Sequence, residues 1–105
     1  MIVTTIDYIP GKKIQEHYGL VTGSTVKTKN FLHDFVASFR TLIGGEVRSY
    51  TRLLMESREQ AVERMLEQAE RSGANAVINV RLSTSSVIQG GAEIYAYGTA
   101  VKVGE

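Results

Sequence analysis

Residues 92–103 carry the tightest constraint on the fold. Glu93, Tyr95, Tyr97, Thr99, Val101 and Val103 alternate with Ala92, Ile94, Ala96, Gly98 and Ala100, so a strand here has two largely apolar faces. Both faces then need cover. A chain of 105 residues has room for only a few other elements. The expectation is a strand packed on helices on one side and on a copy of the chain on the other.

Length and composition fit a single domain over residues 1–105, large enough to bury roughly 65% of its unfolded surface. Hydrophobic residues make up 43% and charged residues 22%, which excludes wholesale disorder. Twelve basic against eleven acidic residues leave a net charge of +1, without the basic footprint of a nucleic-acid or polybasic membrane binder. There is no Cys, so disulfides, thiolate nucleophiles and thiolate metal cages are excluded. No apolar run approaches the roughly 20 residues of a membrane span. Residues 1–10 have neither a basic start nor an apolar middle, so no signal peptide is read and the expected compartment is the cytoplasm.

Along the chain, Ile2-Val3-Thr4-Thr5 reads as a short strand followed by the Pro10-Gly11 turn dipeptide. Residues 13–27 alternate with period two. Ile14, Tyr18, Leu20 and Val26 fall on one face; Gln15, His17, Gly19, Val21 and Gly23 fall on the other. Two glycines on one face predict a close approach by another element. Residues 31–43 switch to helical spacing, with Phe31, Leu32, Phe35, Val36, Phe39, Leu42 and Ile43 on one arc, Asn30 as cap and Gly44-Gly45 as stop. A second helix is predicted over residues 50–72, with Gly73 just past its end. Leu54, Met55, Ala61, Val62, Met65, Leu66 and Ala69 form its apolar arc, and Arg58 projects into the middle of that arc. A strand over residues 76–82 follows, then a Gln89-Gly90-Gly91 loop and the C-terminal strand. The order is β-β-α-α-β-β: an α+β fold of four or five strands and two helices, expected to be oligomeric through sheet edges and glycine-rich strand faces.

The side-chain chemistry points to no reaction. His17 and His33, the weak metal candidates, lack the i,i+4 histidine pairing of a helical zinc site, and each neighbouring carboxylate points elsewhere. No G-x-S-x-G elbow or phosphate-binding glycine fingerprint is present. Arg58 is the informative residue. A buried guanidinium cannot be discharged and requires partners, for which Glu46 and Glu93 are the nearest choices, with Arg81 a second strand charge. These four residues read as a structural ion-pair cluster or as a pocket for a small polar ligand, the remaining reading being that Arg58 is simply exposed by helix bending or end effects.

Several stretches together resemble the YbjQ-like family: Ile2-Val3-Thr4-Thr5, Pro10-Gly11, Gly19-Leu20-Val21-Thr22-Gly23, Gly44-Gly45-Glu46, Ser49-Tyr50-Thr51, Arg58, Arg64-Met65, Gly73-Ala74-Asn75-Ala76-Val77, Val80-Arg81 and Tyr97-Gly98-Thr99-Ala100-Val101. The family is uncharacterised, prokaryotic and often labelled heavy-metal-binding. The resemblance runs essentially from end to end and implies an α+β subunit assembling into a homopentameric ring. It brings no reaction and no physiological ligand. The expected function is a cytoplasmic, homo-oligomeric, non-enzymatic small-ligand binding or scaffold module without a cofactor, a nucleic-acid partner or a membrane partner. Heavy-metal binding in symmetric interface sites is the alternative. An enzyme with an interface pocket around Arg58 is a remote one. Soft metals favour thiolate and imidazole donors, which this chain supplies sparsely.

Overall fold

The computed structural model describes residues 1–27, 46–88 and 91–105. The helix expected over residues 31–43, with His33, and the loop residues Gln89 and Gly90 lie outside them. The described elements are β1 (Ile2–Val3), β2 (Lys13–Lys27), α1 (Glu46–Arg71), β3 (Ala76–Ile88) and β4 (Gly91–Gly104). They form an α+β fold: one helix on a four-stranded mixed sheet in the order β1-β3-β4-β2. β1 runs parallel to β3, and β4 pairs antiparallel with β3 and β2. Among the described helices none is long and apolar enough to cross a membrane.

Local chemistry sets the joints. Pro10-Gly11 makes a tight turn in which the Lys12 N–H donates to the Ile9 carbonyl at 3.1 Å, with Gly11 at φ +78°. Pro at the second position and Gly at the third suit a type II turn. At the end of α1, Gly73 adopts φ +96°. Its N–H donates to the Glu70 carbonyl, and that of Ala74 donates to the Ala69 carbonyl. This pair of bonds, with Ala69 and Ala74 packed in one cluster, is a Schellman stop. Asn75 then locks the register. Its side-chain amide donates to the Val103 carbonyl at 2.9 Å and accepts from the Val103 N–H at 2.8 Å, standing in for a strand partner.

The two apolar faces of β4 are both used. Ile94, Ala96 and Ala100 join Val77, Val80 and Val21 beneath Ala61, Met65 and Ala69 of α1. On the far face, Val101 and Val103 pack with Ala76 and Ile78 under Ile9, which the Pro10-Gly11 turn folds back over the sheet. The close approach predicted from paired glycines occurs at Gly23. A Cβ there would overlap the backbone of Ala61, Arg64 and Met65, so α1 rests directly on β2. Gly19 has open space around it and a φ of +95°. Its glycine serves backbone conformation, not packing.

Two expectations are corrected. The alternation of residues 13–27 is interrupted by irregularities at Gln15 and Tyr18, where the register with β4 slips. Each slip reverses the faces, and the second cancels the first. Ile14, Leu20 and Val26 keep their common face, while Tyr18 turns to pack with the α1 cluster. His17 lies opposite Val101, on the face away from α1, whereas Gly23 lies opposite Ala96 beneath it. The two do not share a face.

Arg58 is exposed, not buried. The buried stripe of α1 is Ser57, Ala61, Met65 and Ala69, and spacing by four drifts about 40° per step around the helix. Arg58 points toward the sheet only at the level of Met65 and Ala69. At its own level the contact is made by Ser57, about 100° away, whose carbonyl accepts from Thr25 Oγ1 at 3.2 Å.

Two stability outcomes follow. Met65→Ala should cost about 2–5 kcal/mol through a cavity in the packed face, whereas Arg58→Ala should stay within about 0.5 kcal/mol. Denaturant midpoints check both, and equal losses would show that Arg58 is structural. Gly23→Ala should cost about 2 kcal/mol or more by forcing α1 off β2, visible as a lowered melting temperature. An unchanged melting temperature would mean that the helix does not bear on β2 at that point.

Candidate functional site

α1 sits over β2 and β4, and among the described residues the helix-side edge of β3 is only partly covered. Leu82 pairs with Ala96 and Thr84 with Ile94, so both β3 residues face the helix side. Ala96, Gly98 and Ala100 are small, and the sheet surface between helix and β3 is correspondingly low. The result is a cleft of about 370 Å³ lined by Leu54, Arg58, Leu82, Ser83, Thr84 and Ile94. A second recess of about 390 Å³ adjoins it, sharing Arg58 and Leu82 and adding Glu59, Val62 and Glu63. Arg58 stands between the two.

The arginines differ in what they hold. Arg64 Nη1 donates to the Ser24 carbonyl at the open edge of β2. Arg81 Nη1 donates to the carbonyls of Thr5 at 2.7 Å and Val80 at 2.9 Å, tying the N-terminal segment to β3. Arg58 makes no ion pair or hydrogen bond among the described residues.

The four residues expected to cluster do not meet within one chain. Glu46 opens α1, twelve residues before Arg58, which is about 18 Å along a helix axis. Glu93 lies opposite Ser85 and Val26, on the sheet face away from α1. Arg81 faces Tyr97 on that same far face and is engaged by carbonyls. What brings Arg58 a setting is apolar and hydroxyl-bearing: Leu54 one turn earlier, and Leu82 to Thr84 on β3. The strand runs past the alternation of residues 76–82 to Ile88. The β-branched Thr84 and Val87 were the available signal for its continuation to Ile88.

The far face carries the other exposed feature. Leu20, Thr22, Ser24 and Val26 of β2 pair with Thr99, Tyr97, Tyr95 and Glu93 of β4. Leu20 is 70% exposed and Val26 52%. Tyr95 and Tyr97 stack at 5.8 Å between ring centroids. Ile9 covers this face only at the Val101–Val103 end.

A heavy-metal site finds poor support in one chain. Among the described residues no three His, Asp or Glu side chains come together. His17 is exposed on β2, and the adjacent Glu16 carboxylate accepts the Tyr18 hydroxyl at 3.1 Å. Desolvation, reinforced by that hydrogen bond and by the Glu16 charge, raises the Tyr18 hydroxyl above the ordinary tyrosine range. Such a set lacks the three or four fixed soft donors of a tight site, so the described residues of one chain do not by themselves fit the metal.

Comparison with known proteins agrees with this arrangement of elements. A crystal structure of a protein of unknown function from Pediococcus pentosaceus, assigned to the DUF74 family, superposes with a TM-score of 0.63 over 99% of this chain and 98% of that one. At 15% identity it shows a shared fold. The "UPF0145 protein" of Fervidobacterium nodosum is 55% identical over 98% of this chain and 95% of its own length. That of Hahella chejuensis is 55% identical over 96% and 97%. The YbjQ family model, described as "Putative heavy-metal-binding", matches residues 1–104. With the whole chain matched and relatives at this identity, the protein belongs to the YbjQ-like, UPF0145 family.

Proposed function

We propose that the chain is a cytoplasmic, homo-oligomeric, non-enzymatic module that binds a small polar ligand, its copies meeting across the far face of the sheet. The observation that supports this reading is the surface formed by exposed Leu20 and Val26 with half-buried Tyr95 and Tyr97, large side chains on four successive cross-strand rows of a sheet whose described helix lies on the opposite side. A contiguous apolar surface of this kind is characteristic of an interface. The radius of gyration, 17.0 Å, exceeds the roughly 13 Å of a compact chain of this length, as suits a protomer that completes its packing with a neighbour. Family resemblance extends the assembly to a ring of five. In this reading Glu93, on the far face, and Glu46, at the start of α1, are candidate charges for pairing between copies, while Arg81 is held by main-chain carbonyls.

The family's metal description supports a second reading, in which imidazoles from several copies assemble a site that one copy lacks. The exposed position of His17 on the edge strand favours it over any arrangement internal to the chain. His33 is the other imidazole available.

Light scattering coupled to size exclusion should give a particle several times the 11.6 kDa chain, five times for the ring. Leu20→Glu with Val26→Glu should reduce it to the monomer. A wild-type monomer at micromolar concentration would remove the assembly reading. Calorimetry on tag-free protein should find zinc, nickel and copper bound no tighter than about tens of micromolar, for want of preorganised donors. Submicromolar affinity lost in His17→Ala or His33→Ala would make the metal reading the better one.

A further inference from the structure

We infer that the cleft beside Arg58 is a binding site for a small monocarboxylate with a branched or flat apolar body, an inference that rests on the small-ligand reading above and gives its ligand a chemical class. Three observations converge there. The guanidinium has no protein acceptor among the described residues, while Arg64 and Arg81 are both tied to main-chain carbonyls. The cleft it borders has apolar walls from Leu54, Leu82 and Ile94 and a hydroxyl from Thr84 at its rim. Its volume, about 370 Å³, lies at the low end of small-molecule sites.

Each feature restricts the ligand. A planar guanidinium presents paired N–H donors that match both oxygens of a carboxylate. Leu54, one helical turn before Arg58, and Leu82 across the gap favour an apolar body lying inward from the charge. Glu59 and Glu63 line the adjoining recess on the other side of Arg58, so a second negative charge on the ligand meets repulsion. The carboxylate therefore sits at the exposed mouth, held by Arg58, and the apolar end occupies the space between α1 and β3.

The probe is 4-methylpentanoate, titrated into the full chain and followed by the NMR shifts of Leu54, Leu82, Thr84 and Ile94. Saturable shifts at these residues are expected, with a dissociation constant of about 0.1–1 mM for a ligand of about eight heavy atoms. The uncharged 4-methylpentanamide and the dianionic pentanedioate should each bind at least about tenfold more weakly, as the loss of a charge-assisted hydrogen bond or an added repulsion requires. Arg58→Gln should weaken 4-methylpentanoate to the same degree, whereas Arg52→Gln, on the polar side of α1, should leave it unchanged. Absence of saturable shifts, equal binding of the amide, or undiminished binding in Arg58→Gln overturns the site. The particle mass is measured on the same samples. A fall in mass on Arg58→Gln shows an ion pair between copies and overturns the ligand site as well. A wild-type monomer that still binds the probe upholds the cleft and removes only the assembly.

Discussion

The contact between α1 and Gly23 determines how the rest of the surface is used. Only a residue without a Cβ lets the helix backbone rest on β2, and from that position its side chains reach over the open edge of the sheet. Gln68 Oε1 accepts the Thr22 N–H at 2.7 Å, and Arg64 donates to the Ser24 carbonyl. Thr25 Oγ1 lies 3.4 Å from Gln60 Oε1. An edge strand of fifteen residues is otherwise a row of unpaired donors and acceptors that invites another strand. The helix closes that stretch of edge with its own polar side chains. Having been drawn toward β2, it cannot also cover β3, and the cleft at Leu82 and Arg58 is the consequence.

The far face follows from the same constraint. A chain whose described part has one helix can cover one side of its sheet, and the other side has only the N-terminal segment. Ile9 closes the Val101–Val103 end because Pro10-Gly11 turns the chain there, and Arg81 pins the segment through Thr5. Beyond Thr99, Leu20 and Val26 on the neighbouring strand are exposed among the described residues. The exposed apolar side chains Leu20 and Val26 and the Arg58 guanidinium thus lie on opposite sides of one sheet, so the assembly and the ligand site proposed above would not compete for the same residues.

Much of this was legible in the sequence, and the exceptions have physical causes. The two-faced strand of residues 92–103 was legible because alternation survives wherever pairing is regular, and its face assignments hold throughout. The helix stop at Gly73 was legible because a left-handed residue is needed there and glycine marks it. The slips at Gln15 and Tyr18 were not, since neither residue type signals an irregularity and the two cancel within three positions. Every face from Gly19 onward therefore reads correctly, and only residues 15–18 are reversed. His17 falls in that short interval, which is why its association with the glycine face failed.

Arg58 shows a different limit. A helical wheel collapses all turns onto one cross-section, which is valid only when the helix runs parallel to the surface it packs on. Here the contact stripe steps by four residues and drifts, so the direction that is buried at Met65 faces open space two turns earlier. The residue that seemed to demand a buried partner instead stands at the mouth of a cleft, where solvent reduces its desolvation cost. An arginine fixed by buried carboxylates has spent its donors within the protein. One exposed between leucines, with no acceptor among the described residues, keeps them for an anion under the carboxylate reading proposed above, and the apolar walls around it would add affinity only for a ligand with an apolar part of its own.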